Sequence, residues 1–450
     1  MKVIPSKLKL PYSQKLINFG KYFLISLVLL LGLHLAANAN NSEVIIQPEW
    51  TANNLQASAK PIATDKQLFI INQLKFNELK IGEGIPSELV ALDITSGKIL
   101  WKQKLPPSQA IARHQLILDN GTIYASHANG IVGFDLETGS PKISLKYPED
   151  DRDGIRDRTL GISQDIAVYG DSIPIDRNNS GRTSYQTKIF AINKEKPLWS
   201  YQLPKTNGLI GISAIQPVMQ NGTLFLPSFH DTSKGRLEQF TVMDVRSGKV
   251  LWAWETSSRD PNALWDADVL GDTIYTSVFG FSKTQPLGRI RAIDLQTGKE
   301  KWSYTITGKV KAVSDREVLV WQSKGNSGGN FVVLDKETGR FLRRFTVTRT
   351  YEKEPQHLTW ADGRVYIDDM EIKNVTLGFY GSADNNSWIS AFDDKTGKLV
   401  WRTPTLMNSH IYYPPVVSAV ADNPEKKRLI FASNFLRTEG SSKVQSFLIP

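Results

Sequence analysis

Cysteine is absent from all 450 residues. That one gap removes a disulfide framework, thiolate zinc sites, a cysteine nucleophile and a lipid-modified N-terminal cysteine. Histidine is scarce. The six (His34, His114, His127, His230, His357, His410) form no metalloprotease pair, and no G-x-S-x-G elbow, P-loop or glycine-rich dinucleotide fingerprint occurs. Acidic side chains are missing from residues 1–39, which carry five lysines; without those the formal charge of +9 falls to +4. A balance so near neutral, with no clustered basic face, excludes a nucleic-acid partner. Helical periodicity and long polar linkers are also missing from residue 60 onward, which argues for one domain.

Long apolar runs are rare too. The single one, Tyr22–Leu35, follows a lysine-bearing segment and precedes Ala37-Asn38-Ala39, a small-x-small cleavage pattern. Residues 1–39 therefore read as a signal peptide, leaving 40–450 as an exported, periplasmic or otherwise extracytoplasmic protein. If the segment is not cleaved, residues 22–39 approach the minimum of about 17 needed to span a bilayer, and that anchor is the expected route of membrane association.

What the chain does have is a phrase repeated seven times: ALDITSGKILW (91–101), GFDLETGSPKI (133–143), AINKEKPLW (191–199), VMDVRSGKVLW (242–252), AIDLQTGKEKW (292–302), VLDKETGRFLR (333–343) and AFDDKTGKLVW (391–401). The acidic place falls at Asp93, Asp135, Asn193, Asp244, Asp294, Asp335 and Asp393. Each phrase reads as a strand ending in Asp, a tight turn whose Gly supplies positive φ, and a second strand; the Asp carboxylate and Thr or Ser hydroxyl bond turn amides. A fainter phrase precedes most of them, as in NGTIYAS (120–126) and NGTLFLPS (221–228). Recurrence marks the Asp as structural rather than catalytic.

Trp101, Trp199, Trp252, Trp302 and Trp401 hold the same place after the turn, where a large ring fills the wedge between neighbouring sheets. Ile143 and Arg343 stand there in the second and sixth units, so those junctions are expected to be weaker. Units of this length with four strands predict an all-β fold, an eight-bladed β-propeller of four-stranded antiparallel blades. The count of eight depends on closing the ring with an N-terminal strand, expected at 42–50 and ending in Trp50, because 413–420, 427–435 and 443–450 supply three strands without a fourth.

The phrase A-x-D-x-x-T-G-K-x-x-W resembles the repeat of the pyrroloquinoline quinone (PQQ) dehydrogenases and their non-catalytic relatives, including the propeller subunit of the outer-membrane β-barrel assembly machinery. RTLGISQDIAVYG (158–170) and LWDADV (264–269) are similar to further segments of the dehydrogenases. The resemblance implies a quinone held through calcium by a Glu, an Asn and an Asp. The Glu run of the family, G-E-[FY]-G-x-R-G, corresponds here to HDTSKGRLEQFT (230–241), which offers Ser233 near the ligand place; the insertion bearing the Asn and catalytic Asp corresponds to FGFSKTQPLG (279–288), which has neither. No cofactor is therefore expected, and the resemblance implies a non-enzymatic propeller that binds another cell-envelope protein. The alternative is a periplasmic PQQ-dependent alcohol or sugar dehydrogenase, with PQQ and calcium.

One acidic segment, PEDDRDGIRD (148–157), places Glu149, Asp151, Asp153 and Asp157 at the first, third, fifth and ninth positions of a calcium loop, with Gly154 at the sixth. Leu160 occupies the twelfth, where a bidentate Glu belongs. Arg152, Arg156 and Arg158 favour a self-neutralised loop over a metal loop.

Overall fold

The computed structural model describes residues 44–73, 85–108, 115–127, 130–146, 159–163, 166–177, 183–193, 196–203, 217–232, 235–255, 262–280, 288–323, 329–349, 354–374, 384–420, 423–435 and 442–450. Seven consecutive four-stranded antiparallel sheets, blades 1 to 7, span 62–108, 116–146, 159–202, 218–255, 262–305, 309–345 and 358–402. In each, strand order follows chain order. The expected strand pair of 158–170 opens blade 3, and LWDADV lies in the first strand of blade 5, Asn262–Leu270.

Blade 8 closes the ring. Its outermost strand is Trp50–Asn53, antiparallel to Lys443–Leu448 with Trp50 opposite Ser446. The closing strand thus comes from the N-terminal side but lies later than 42–50. Ile45 bridges Arg402 in parallel, and the Ile46 N–H donates to the Arg402 carbonyl at 3.0 Å, so the preceding residues lie on blade 7. Pro48 helps explain the division, since it offers no N–H to a ladder. Blade 8 also has a fifth short strand, Ser409–Ile411, which shares the partner strand Asn423–Phe435 with Val416–Val420. Every blade and the closure lie within residues 45–450, which form one compact unit.

The core is a ring of interfaces. Eight apolar clusters each join two neighbouring blades: Phe69, Ile71 and Ala91 of blade 1 meet Ile123 and Phe134 of blade 2, while Leu68, Ile70 and Val90 face Ile430 and Val444 of blade 8. Alternate residues of one strand serve opposite junctions. That is why second and third strands such as QLFIINQ read as continuous apolar runs, with burial on both faces.

Candidate functional site

The repeated turn builds the junctions. Asp93 Oδ1 accepts from Thr95 N, Ser96 N and Ser96 Oγ at 3.1, 2.7 and 2.7 Å, and the Gly97 N–H donates to the Asp93 carbonyl at 2.8 Å. Asp135, Asp244, Asp294, Asp335 and Asp393 repeat the arrangement. These bonds favour the ionised carboxylate. At Asp135 the Lys142 ammonium, followed by the Thr138 amide and hydroxyl, holds the carboxyl far below its usual range.

The indole at each junction also hydrogen-bonds. Trp101, Trp199, Trp252 and Trp302 donate Nε1–H to the carbonyls of Leu136, Val245, Leu295 and Lys336 in the next blade, at 2.7 to 3.1 Å. Each acceptor directly follows the turn Asp. Trp50 does the same to Ile94, at 3.0 Å. Two departures matter. Arg343 is not merely a lost tryptophan: its Nε donates to the equivalent carbonyl, Asp394 O, at 3.2 Å, and its two terminal nitrogens bind Glu317 at 2.6 and 3.0 Å. Asp394 Oδ2 accepts from Arg343 Nη2 and from Trp360 Nε1. The sixth junction is therefore a half-buried ionic joint. Ile143 brings no such donor and packs among the apolar residues joining blades 2 and 3.

Trp401 is the second departure. It is buried between blades 7 and 8, but its Nε1 finds no acceptor among the described residues. Blade 8 has no Asp turn to offer one, because its third strand ends at the C-terminus and its fourth begins with Trp50. Ile449 and Ile46, from the two ends of the ring, pack against Trp401's cluster instead.

Above this frame, three blades extend hairpins beyond their flanking strands. In blade 3, pairing between the second and third strands runs from Ile166↔Asn193 to Arg177↔Thr183, whereas the first strand reaches only Tyr169 and the fourth ends opposite Lys188. In blade 4 the ladder continues to Thr232↔Gly235, past the last inner-strand partner Phe225. In blade 7 it reaches Asn374↔Asp384. Among the described residues, the backbone edges of the first two tips carry no further strand. Sequence reading missed these projections, because length beyond the blade has no residue signature.

A charged group lies at the base of the blade 7 hairpin. Glu354, in the connection from blade 6, binds Lys309 and Lys311 of blade 6's inner strand at 2.8 and 2.5 Å. Burial would raise the Glu354 carboxyl, but those ammoniums hold it below its ordinary value. Asp368 and Asp369 are buried on the second strand of blade 7. Asp368 Oδ1 accepts from His357 N at 3.1 Å, and Arg349 Nη2 reaches the Asp368 carbonyl at 2.6 Å. Burial lifts the Asp368 carboxyl to about 7 against the opposing effects of the His357 amide and Arg349. Burial, aided by Lys311, pushes the His357 imidazole down to about 4. A Glu, two consecutive Asp and a His in the last full repeat were the available sequence signal, but their convergence depends on contacts between an inner strand of blade 6, Glu354 and His357, and the second strand of blade 7.

Glu149, Asp151, Asp153 and Asp157 lie outside the described residues, so the acidic-loop reading stays an expectation. Elsewhere, no group of three His, Asp or Glu side chains converges in a metal-ligating arrangement among the described residues.

Comparison with known proteins agrees on the repeat. The family model described as outer membrane protein assembly factor BamB matches residues 50–304 and 286–434. The quinohemoprotein alcohol dehydrogenase ADH IIB of Pseudomonas putida is 29% identical over 187 residues, 38% of this chain and 24% of that one. The dehydrogenase subunit of the quinone alcohol dehydrogenase of Gluconobacter oxydans is 26% identical over 194 residues, 40% and 24% of the two chains. This chain thus spans about a quarter of the length of these curated relatives. The crystal structure of a quinohemoprotein alcohol dehydrogenase from Comamonas testosteroni aligns with a TM-score of 0.41 at 12% identity, covering 92% of this chain and 77% of that one.

Proposed function

The chain belongs to the PQQ-like β-propeller family, whose matching model is described as outer membrane protein assembly factor BamB, and we propose that it is an exported, non-enzymatic scaffold that binds another protein of the cell envelope. The observation that carries this reading is the blade 4 hairpin. Ten consecutive pairs, Thr223↔Asp244 through Thr232↔Gly235, occupy the run where the resemblance to the dehydrogenases calls for a calcium-binding Glu, with Ser233 and Lys234 between them in sequence. The donor set expected for a calcium-held quinone does not fit these residues, so no chemical step is assigned to it.

The same hairpin supplies what a scaffold needs. The edges at the tips of blades 3 and 4, which carry no further strand among the described residues, present backbone N–H and C=O groups for strand addition by a partner segment. A rigid ring holds those edges in fixed relation, which lowers the ordering cost of binding.

Affinity capture with the full-length chain from detergent-solubilised envelopes tests the proposal. One envelope protein should co-purify stoichiometrically and be lost when Pro replaces Gln186, which lies on the blade 3 projection opposite Ile173. Absence of any such partner overturns it. Similarity to the two alcohol dehydrogenases favours a second reading, a PQQ-dependent oxidoreductase. That reading requires the purified chain, given PQQ and Ca²⁺, to reduce an artificial electron acceptor with an alcohol or sugar as donor.

A further inference from the structure

Six of the eight junctions are fastened by a side-chain N–H that reaches the carbonyl just after the next blade's turn Asp: Trp50, Trp101, Trp199, Trp252 and Trp302 through the indole, and Arg343 through its guanidinium. The other two join blades 2 and 3 and blades 7 and 8. Ile143 brings no side-chain donor to the first, and at the second Trp401 Nε1 is buried without an acceptor among the described residues. What else is buried separates these two. The cluster between blades 2 and 3 contains no carboxyl group, whereas Asp368 lies at the junction of blades 7 and 8.

Three carboxyl groups are buried among the described residues: Asp368, Asp369 and Asp394. Asp394 is met by Arg343 and Trp360. Asp369 alternates to the blade 6 side with Ile367 and lies 3.8 Å from Arg349 Nε. Asp368 shares the blade 8 side with Tyr366 and with its cross-strand partner Ile389. Its carboxyl accepts from the His357 amide, while Arg349 donates to its backbone carbonyl instead. The other ionisable groups around it leave it without an ion pair. On its own strand, Asp369 is a second acid and Arg364, at the far end, donates to the Pro450 carbonyl. In the connection from blade 6, burial keeps His357 neutral, and Glu354 is taken by Lys309 and Lys311 of blade 6's inner strand. The connection to blade 8 brings His410, which burial also disfavours as a cation, and Tyr412. Blade 8 presents the apolar Leu429, Phe431 and Phe447, with Lys443 opposite Ser433. A charge at Asp368 is therefore costly unless water reaches it.

We propose that the junction between blades 7 and 8 is a pH-sensitive seam in the ring, closed while Asp368 is protonated and parting at its hairpin end when that carboxyl ionises. Parting wets the carboxylate, and no indole hydrogen bond has to break for it. The fastening at that end is polar, so water can replace it. Ser387 and Leu406 exchange backbone bonds at 3.0 and 2.8 Å, the Ser387 and Ser409 hydroxyls meet at 2.8 Å, and Ser409–Ile411 pairs with blade 8. The connection 403–411 thus covers a strand edge on each blade, and opening uncovers both. Such local opening is distinct from loss of the whole ring, which the other fastened junctions resist.

A chain without cysteine can report this opening through a single introduced thiol. Ser433, Ser446 and Ser390 are buried and face blade 7, blade 1 and blade 6 in turn. Each is replaced by Cys in the full chain, and its alkylation by iodoacetamide is followed from pH 6 to pH 8 relative to free cysteine at the same pH. With the Asp368 carboxyl at about 7 in the closed ring and about 3.9 once solvated, linkage predicts labelling of Ser433→Cys about tenfold faster at pH 8 than at pH 6. Ser446→Cys and Ser390→Cys should show no such rise, and adding Asp368→Asn should remove it from Ser433→Cys. A flat profile at Ser433→Cys would overturn the proposal, because Asp368 would then ionise in place. Equal rises at all three thiols would overturn it in favour of global unfolding, and a rise that survives Asp368→Asn would assign the titration to another group such as His410. If a Cys variant does not fold, hydrogen exchange of the Ser409–Ile411 amides, corrected for intrinsic rates, reads the same opening. It should show the same tenfold rise in the parent chain and none with Asp368→Asn, and a rise in both or in neither refutes the seam.

Discussion

Gly97 and Gly121 share a backbone conformation, φ +68° and +67°, yet an added methyl group meets different surroundings. At Gly121 nothing lies within 4 Å of the ideal Cβ position, whereas at Gly97 the Cβ would stand 2.6 Å from Cδ2 of Trp50. Replacing either by Ala places an L side chain in the left-handed region, costing about 1–2 kcal/mol. Only Gly97→Ala must also expel the indole that closes the ring. Trp→Ala in a core costs about 3–5 kcal/mol, and the lost Nε1–H bond to Ile94 accounts for about 1 of that. The ring can shift within its seat, so partial loss of that packing should add about 2–3 kcal/mol to the 1–2 of backbone strain: Gly97→Ala should destabilise by about 3–5 kcal/mol, and Gly121→Ala by about 1–2.

Urea unfolding of both variants, with and without Trp50→Ala, isolates the docking energy. Once Trp50 is Ala the clash is gone, so Gly97→Ala should then cost no more than Gly121→Ala. A coupling of about 2–3 kcal/mol is expected for this touching pair, and none between Gly121 and Trp50. Equal costs for the two glycine variants in the parent chain, or additivity of Gly97→Ala with Trp50→Ala, would refute the claim that the turn glycine is a seat for the preceding blade's ring.

Three further outcomes are expected. Arg343→Ala should destabilise by about 2–3 kcal/mol in thermal unfolding, because it leaves the half-buried Glu317 and the buried Asp394 without their guanidinium, whereas Trp302→Ala should cost about 3–5 through lost packing and the lost Nε1–H bond to Lys336 and respond less to salt. A chain beginning at Ser58 lacks Trp50–Asn53 and should melt far below one beginning at Asn40, or aggregate through the uncovered edge of Lys443–Leu448; equal melting temperatures would mean the ring closes otherwise. Asp368, raised to about 7 in the folded protein from an ordinary value of about 3.9, keeps a proton on folding that the unfolded chain releases, so its contribution is full below about pH 4 and is lost as pH rises through 7. Asp368→Asn should therefore raise the melting temperature at pH 8 more than at pH 5, and an equal gain at both would contradict the placement of that carboxyl.

The recurring Asp, Gly and Trp made blade number and strand order legible, because each turn uses the same local chemistry and local chemistry is what residue types encode. Trp50 could be recognised as a closing residue for the same reason. Its strand could not be bounded, since Val44, Ile45 and Ile46 are as β-prone as Trp50–Asn53, and only the geometry of two adjacent blades decides which one each pairs with. Arg343 was legible as an exception but not as a replacement. Nothing in GRFLR shows that a guanidinium will reach the Asp394 carbonyl and Glu317 together, because Glu317 comes from the same blade's second strand and Asp394 from the next blade. The charged group at Asp368 was illegible for a related reason: it draws on an inner strand, an inter-blade connection and the extension of a hairpin.

Ring repetition also sets where function can sit. Residues that face a junction are fixed by the blade on each side, so a change there must be answered across the interface, as Arg343 is answered by Asp394. Positions outside the junctions carry no such constraint: the hairpin lengths in blades 3, 4 and 7, and the two places after each turn cation. Their variation from blade to blade is what a repeat scaffold leaves free for recognition. The long hairpins of blades 3 and 4 offer backbone edges suited to a protein strand. Shortening the projection of blade 3 should therefore abolish partner binding while leaving the melting temperature of the ring unchanged, because the projection lies outside the junctions.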